Sequence, residues 1–308
     1  MKKSSPARRI VEGWSAVASF SIAEDGRIVA GEKGGYRVCC WDAAGALAWS
    51  VPLQKHGRSS RYSFEVIVVV AGDVVLALPS HGKRLLVLDL ATGKVAREHA
   101  IGDDTRNLAL APDGVTLAMR TSTETTVFEY PSLRVVAPFT EYCNMNAMAV
   151  SPNGKWLAVC GYEVHVYDLP ARKHIATFEP PESPTALVFP PSSAQLVTGD
   201  DKQMLRVYDA EHGFVRLAEA GKNRAPGITA LAVSPDGRFI AAGNELGTVV
   251  LHDAGTLAPV RDFKGHDPSV PDTGSRELSQ VAFTPRGELV VSAPPKKQPA
   301  GLSIHTIA

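Results

Sequence analysis

The sequence predicts an all-β fold, a seven-bladed β-propeller of four-stranded antiparallel blades. Two observations predict it. A strand-turn-strand unit recurs along the chain, and its turns stand 39 to 50 residues apart. That period suits a four-stranded blade rather than a helical solenoid.

The clearest copy runs Ile228-Thr229-Ala230-Leu231-Ala232-Val233, then Ser234-Pro235-Asp236-Gly237, then Arg238-Phe239-Ile240-Ala241-Ala242-Gly243, then Thr248-Val249-Val250-Leu251-His252-Asp253. Alternation of apolar residues marks each run as a half-buried strand. The Pro presets φ and the Gly tolerates the conformation that closes the hairpin. Related turns occur at Ala23-Glu24-Asp25-Gly26, Ala111-Pro112-Asp113-Gly114, Ser151-Pro152-Asn153-Gly154 and Thr284-Pro285-Arg286-Gly287. Degenerate copies near Ala71-Gly72-Asp73 and Pro190-Pro191-Ser192-Ser193 bring the number to seven.

Third strands end in an acid, as in Cys40-Trp41-Asp42, Val87-Leu88-Asp89, Val127-Phe128-Glu129, Val166-Tyr167-Asp168, Val207-Tyr208-Asp209 and Leu251-His252-Asp253. With these residues the chain resembles a WD40 propeller over essentially its whole length, with degenerate repeats of bacterial type. The dipeptide that names the family is intact only at Trp41-Asp42, and its Gly-His pair survives only at Gly265-His266. Lys202 and Leu246 stand where the family has an acid between second and third strands, so the family's internal hydrogen-bond tetrad is expected to be mostly absent.

The last unit, from Gln280-Val281-Ala282-Phe283 to Leu302-Ser303-Ile304-His305-Thr306, ends after three strands, while Arg8-Arg9-Ile10-Val11-Glu12 is a spare strand at the start. Pairing the two completes the seventh blade, closes the ring and removes an exposed edge. Residues 1–308 are thus expected to form one domain.

A hydrophobic fraction of 44% with 21% charged residues allows an extensive core. Zero formal net charge argues against nucleic acid or an anionic membrane as partner. Met1 to Ile10 carries charges but no apolar run, so neither a signal peptide nor a membrane span is expected, and the cytoplasm is the expected compartment.

Cys39, Cys40, Cys143 and Cys160 lack zinc-site spacing and read as reduced, buried small hydrophobes. Cys39 and Cys40 are adjacent on a strand and must point to opposite faces. The nine histidines are scattered, His165, His252 and His305 falling at packing positions of third strands. No phosphate-cradle or serine-hydrolase motif occurs. The chain is therefore expected to be a non-catalytic monomer with no metal and no cofactor. The alternative is a propeller enzyme using the central channel, because Trp41 to Trp49 and Leu88 to Lys94 resemble the repeat of quinoprotein dehydrogenases. Trp14, Trp41, Trp49 and Trp156 read as packing between blades.

In a propeller of this family, connections between blades share a face with the loops between second and third strands. Around blades seven, one and two these loops hold eleven basic and five acidic residues, a net +6; around blades three to five they hold three basic and nine acidic residues, a net −6. Complementary fields of this kind orient a partner. The expected contact residues are Lys33, Tyr36, Arg37, Lys55, Arg58, Arg61, Tyr62, Lys83, Arg84, His266, Arg276, Lys296 and Lys297, and the expected partner is an acidic protein or peptide segment. Three long loops lie in the basic sector, 54–62, 264–277 and 293–301, and long loops on a rigid scaffold are where function tends to reside.

Overall fold

The computed structural model describes residues 8–14, 17–32, 37–53, 66–79, 83–101, 105, 107–111, 114–121, 124–139, 147–191, 194–222, 224, 226–264, 280–293 and 300–307. Their strands form seven four-stranded antiparallel sheets, a seven-bladed β-propeller. Among the described residues there is no helix, and so none long and apolar enough to cross a membrane. The chain divides into two compact units, Met1–Thr105 with Lys264–Ala308, and Arg106–Phe263.

The first unit contains three blades. Blade one is Val17–Ile22, Ile28–Glu32, Arg37–Trp41 and Leu47–Pro52. Blade two is Val66–Ala71, Val74–Pro79, Arg84–Asp89 and Val95–Ala100. Blade seven is Gln280–Phe283, Leu289–Ala293 and Ala300–His305, with Arg8–Trp14 as its fourth strand. Arg8 pairs with Ile304, Arg9 with Ser303 and Ile10 with Leu302, so the spare N-terminal segment completes the last blade as its sequence predicts.

Every residue of Ile28–Glu32 is buried, because the strand is covered on both faces. Ile28 and Ala30 pack with Phe20, Ile10 and Val290, whereas Val29 turns to Val66, Val75 and Leu88. Cys39 and Cys40 divide in the same way between these two cores. Trp41 and Trp49 are also core residues, and the Trp49 indole N–H donates to Leu90 O at 2.9 Å. The side chain of Trp14 lies outside the described residues.

Cys39, Cys40 and Cys160 are buried, and burial pushes the Cys40 thiol up to about 11. The thiolate is the reactive form. All three should therefore resist a disulfide reagent at pH 8 and react once the chain is denatured, as peptide mass mapping can show. Rapid labelling of Cys40 in the folded protein would contradict this burial. Cys143 lies outside the described residues.

The second unit contains four blades. Blade three is Asn107–Leu110, Thr116–Arg120, Thr125–Glu129 and Arg134–Phe139; blade four is Ala147–Val150, Trp156–Cys160, Val164–Asp168 and Lys173–Phe178. Blade five is Pro184–Val188, Gln195–Asp200, Met204–Asp209 and Val215–Gly221; blade six is Ile228–Val233, Phe239–Asn244, Thr248–Asp253 and Pro259–Lys264. Between blades four and five, Trp156 meets Phe214 edge-on at 6.2 Å and Phe178 meets Tyr208 at 4.5 Å.

Local chemistry makes the turns. In blades four and six the turn serine accepts the amide of Trp156 or Phe239 while its hydroxyl donates to Asn153 or Asp236. The following glycines, Gly154 and Gly237, adopt φ of 64° and 72°, where a Cβ is strained. At the same end of the blades the acids closing third strands cap the next turn. Asp89 and Asp253 each accept a backbone N–H and a hydroxyl, from Thr92 and Thr256. These hydrogen bonds hold both carboxyls below the usual carboxylate range.

Candidate functional site

The strand order places two sets of connections at one end of each blade: the loop between second and third strands, and the chain leaving the fourth strand for the next blade. Of the thirteen residues expected to form the contact, Arg37, Lys83 and Arg84 are described. Lys33, Tyr36, Lys55, Arg58, Arg61, Tyr62, His266, Arg276, Lys296 and Lys297 lie outside the described residues.

Arg37 is half-buried and grips Glu32 with Nε at 3.0 Å and a terminal nitrogen at 3.3 Å. Glu32 itself is buried, so this two-pronged pair is a fixed part of blade one. Arg84 pairs with Glu98 at 2.7 Å, both side chains about half exposed. An exposed pair of this kind exchanges partners at little cost. Lys83 is exposed at the same end of blade two.

In the second unit the same end of blade four carries a cavity of about 440 Å³. One wall is Tyr162-Glu163, in the hairpin between second and third strands; the other is Glu179-Pro180-Pro181-Glu182-Ser183, which leads into blade five. Sequence makes both walls. Gly161 N–H donates to Glu163 O at 2.9 Å and closes the hairpin on three residues. Pro180 and Pro181 have no N–H to give a sheet, so the fourth strand ends at Phe178. The Cys160 thiol donates to Pro184 O at 3.4 Å and ties the second wall to the hairpin's own strand.

Tyr162 is exposed over 69% of its surface. Glu163 is half-buried and held from behind: His165 Nε2 lies 3.3 Å from its carboxylate, His165 Nδ1 is 3.2 Å from the Thr177 hydroxyl, and His174 Nε2 is 2.9 Å from the same hydroxyl. One hydrogen-bond arrangement satisfies the whole row: His165 donates to Glu163, Thr177 donates to His165, and His174 donates to Thr177. Although it orders hydroxyl, imidazole and carboxylate as a hydrolase does, Thr177 does not line the cavity. Its effect there is to fix Glu163. Among the described residues Glu179 and Glu182 have no ion-pair partner, and no three His, Cys, Asp or Glu side chains group as a metal ion requires.

Not every acid expected in this sector acts on its surface. Asp200 is buried, so it adds little to the field that a partner meets. Its carboxylate accepts an N–H of Arg206, also buried, and the amides of Lys202 at 2.9 Å and Met204 at 2.8 Å. Tyr162 was not expected as a site residue; the available signal is an aromatic in a very short polar hairpin, followed by a Pro-Pro pair between two glutamates.

A family model, described as WD domain, G-beta repeat, matches residues 221–253. The match ends at Asp253 and takes in the first three strands of blade six. The chain is a seven-bladed propeller whose blade six is similar to a WD40 repeat. No curated protein matches it. A WD40 propeller is commonly a scaffold for protein interactions, and the cavity of blade four lies where such a propeller presents its connecting loops.

Proposed function

We propose that this propeller is a non-catalytic cytoplasmic scaffold that takes a protein or peptide partner on its loop face. The observation that supports it best is the cavity at Tyr162 and Glu163, a concave, aromatic and charged feature built wholly from loop-face connections. Exposed loops on a rigid sheet scaffold suit recognition, and concavity buries more of a ligand per residue than a flat surface does. In this reading the basic loops of blades one and two, with Arg58, Arg61, Tyr62 and Lys83, meet an acidic stretch of the partner.

The test is quantitative affinity capture from the native host with three baits. The wild-type chain should recover a stoichiometric partner, and the triple reversal Arg58→Glu, Arg61→Glu, Lys83→Glu should recover at least tenfold less at low salt, because exposed charges set association. Leu217→Glu, on the exposed fourth strand of blade five, should leave recovery unchanged. Loss from Leu217→Glu without loss from the reversal would move the interface to the sheet edge and overturn the loop-face reading.

A further inference from the structure

We infer that the blade-four cavity is a receptor for an arginine side chain presented by a partner peptide. The inference rests on the loop-face reading above and names what one part of that face recognises.

Three features meet there. The first is shape: a cavity of about 440 Å³ has room for a guanidinium and its methylene stem. The second is the ring of Tyr162, exposed over 69% of its surface. Most of this amphipathic side chain is in water, and a cation over its face is attracted by the ring quadrupole. The third is charge. Glu163, Glu179 and Glu182 line the cavity, and among the described residues no lysine or arginine does. An acidic rim alone would be a solvated surface. Here it surrounds a concavity with an aromatic wall, and one carboxylate is held in place by the His165, Thr177 and His174 row.

The chemistry favours arginine over lysine. A guanidinium is planar, stacks on an aromatic face and meets carboxylates through paired N–H donors, and it is more weakly hydrated than an ammonium. Tyr162 and Glu163 are adjacent on one hairpin, so stacking and a carboxylate contact are offered together. Pro180 and Pro181 supply a wall without N–H donors, which would compete for those carboxylates. An acidic side chain meets three like charges at the cavity and is excluded.

The experiment uses the full-length purified chain and N-acetyl-arginine-N-methylamide as probe, followed by amide chemical shifts. Capped arginine should give saturable shifts that include Tyr162, Glu163 and Glu182, with a dissociation constant on the order of millimolar, as expected for one side chain. Capped citrulline, which keeps the shape and loses the charge, should bind at least tenfold more weakly. Glu163→Gln/Glu179→Gln/Glu182→Gln should weaken capped arginine at least tenfold while leaving the rest of the spectrum in place, and Tyr162→Ala should weaken it several-fold. Absence of saturable shifts, equal binding of citrulline, or unchanged binding to the triple variant would overturn the assignment. The probe needs no native partner, so failed capture with intact arginine binding rejects the scaffold reading alone; successful capture without arginine binding rejects this inference alone.

Discussion

Deleting residues 1–13 is expected to lower the stability of the folded chain by roughly 3–6 kcal/mol, a drop in melting temperature on the order of 5–15 °C. The deleted segment contains most of the fourth strand of blade seven. Ile10 is buried with Phe20, Ile28, Trp41, Val290, Leu302 and Ile304, so its loss opens a hole where blades seven and one pack. Arg8 spans the same contact by donating to the carbonyls of Ala43 and Ala44. Deletion also leaves Ala300–His305 as an unpaired edge, a template for association between chains. Ile10→Ala removes the packing and keeps the ladder, and should give about 2–4 kcal/mol of the effect. Urea unfolding of the three proteins, with light scattering to follow association, measures both parts. An unchanged midpoint in the deletion would show that the N-terminal strand does not hold blade seven.

Much of this architecture is legible in the sequence because turn chemistry is local. Pro235-Asp236-Gly237 and Pro152-Asn153-Gly154 announce their hairpins through backbone preferences that need no partner. Second strands are legible for another reason: Ile28–Glu32 and Trp156–Cys160 are buried on both faces and so are nearly continuous apolar runs. Fourth strands are the hardest to see. Val95–Ala100 and Lys173–Phe178 are largely exposed, so hydrogen bonding to the third strand maintains them while their side chains leave little pattern.

The site was less legible, since charge counted along a chain says nothing of where each charge goes. Asp200 and Glu163 look alike in sequence, yet one is sealed beneath blade five and the other lines a cavity. Arg37 and Arg84, expected as partner contacts, each meet a carboxylate of their own blade. Tyr162 is a single aromatic in a loop and has no periodicity to mark it.

Breaking the Asp200–Arg206 pair from either side is expected to cost about 3–5 kcal/mol, whereas replacing both should cost little. The two side chains are 1% and 3% exposed and joined directly, with Arg206 Nε also 3.3 Å from Glu219. Arg206→Val leaves a buried carboxylate without its cation. Asp200→Asn leaves a buried guanidinium facing a neutral amide, although the turn contacts to Lys202 and Met204 can persist. Blade six shows what the pair replaces. Asn244, at the end of the second strand like Asp200, accepts the amides of Leu246 and Thr248 at 3.0 and 3.1 Å. Six residues after it, as Arg206 follows Asp200, stands Val250. The double variant Asp200→Asn/Arg206→Val therefore gives blade five the neutral solution that blade six already uses, and it should lie within about 1.5 kcal/mol of wild type, as apolar replacement of a buried ion pair often does. Urea unfolding of all four proteins yields the coupling energy directly. Single variants that cost under 1 kcal/mol, or a double variant as unstable as the sum of the singles, would show that this pair is not the buried, mutually dependent contact that its geometry implies.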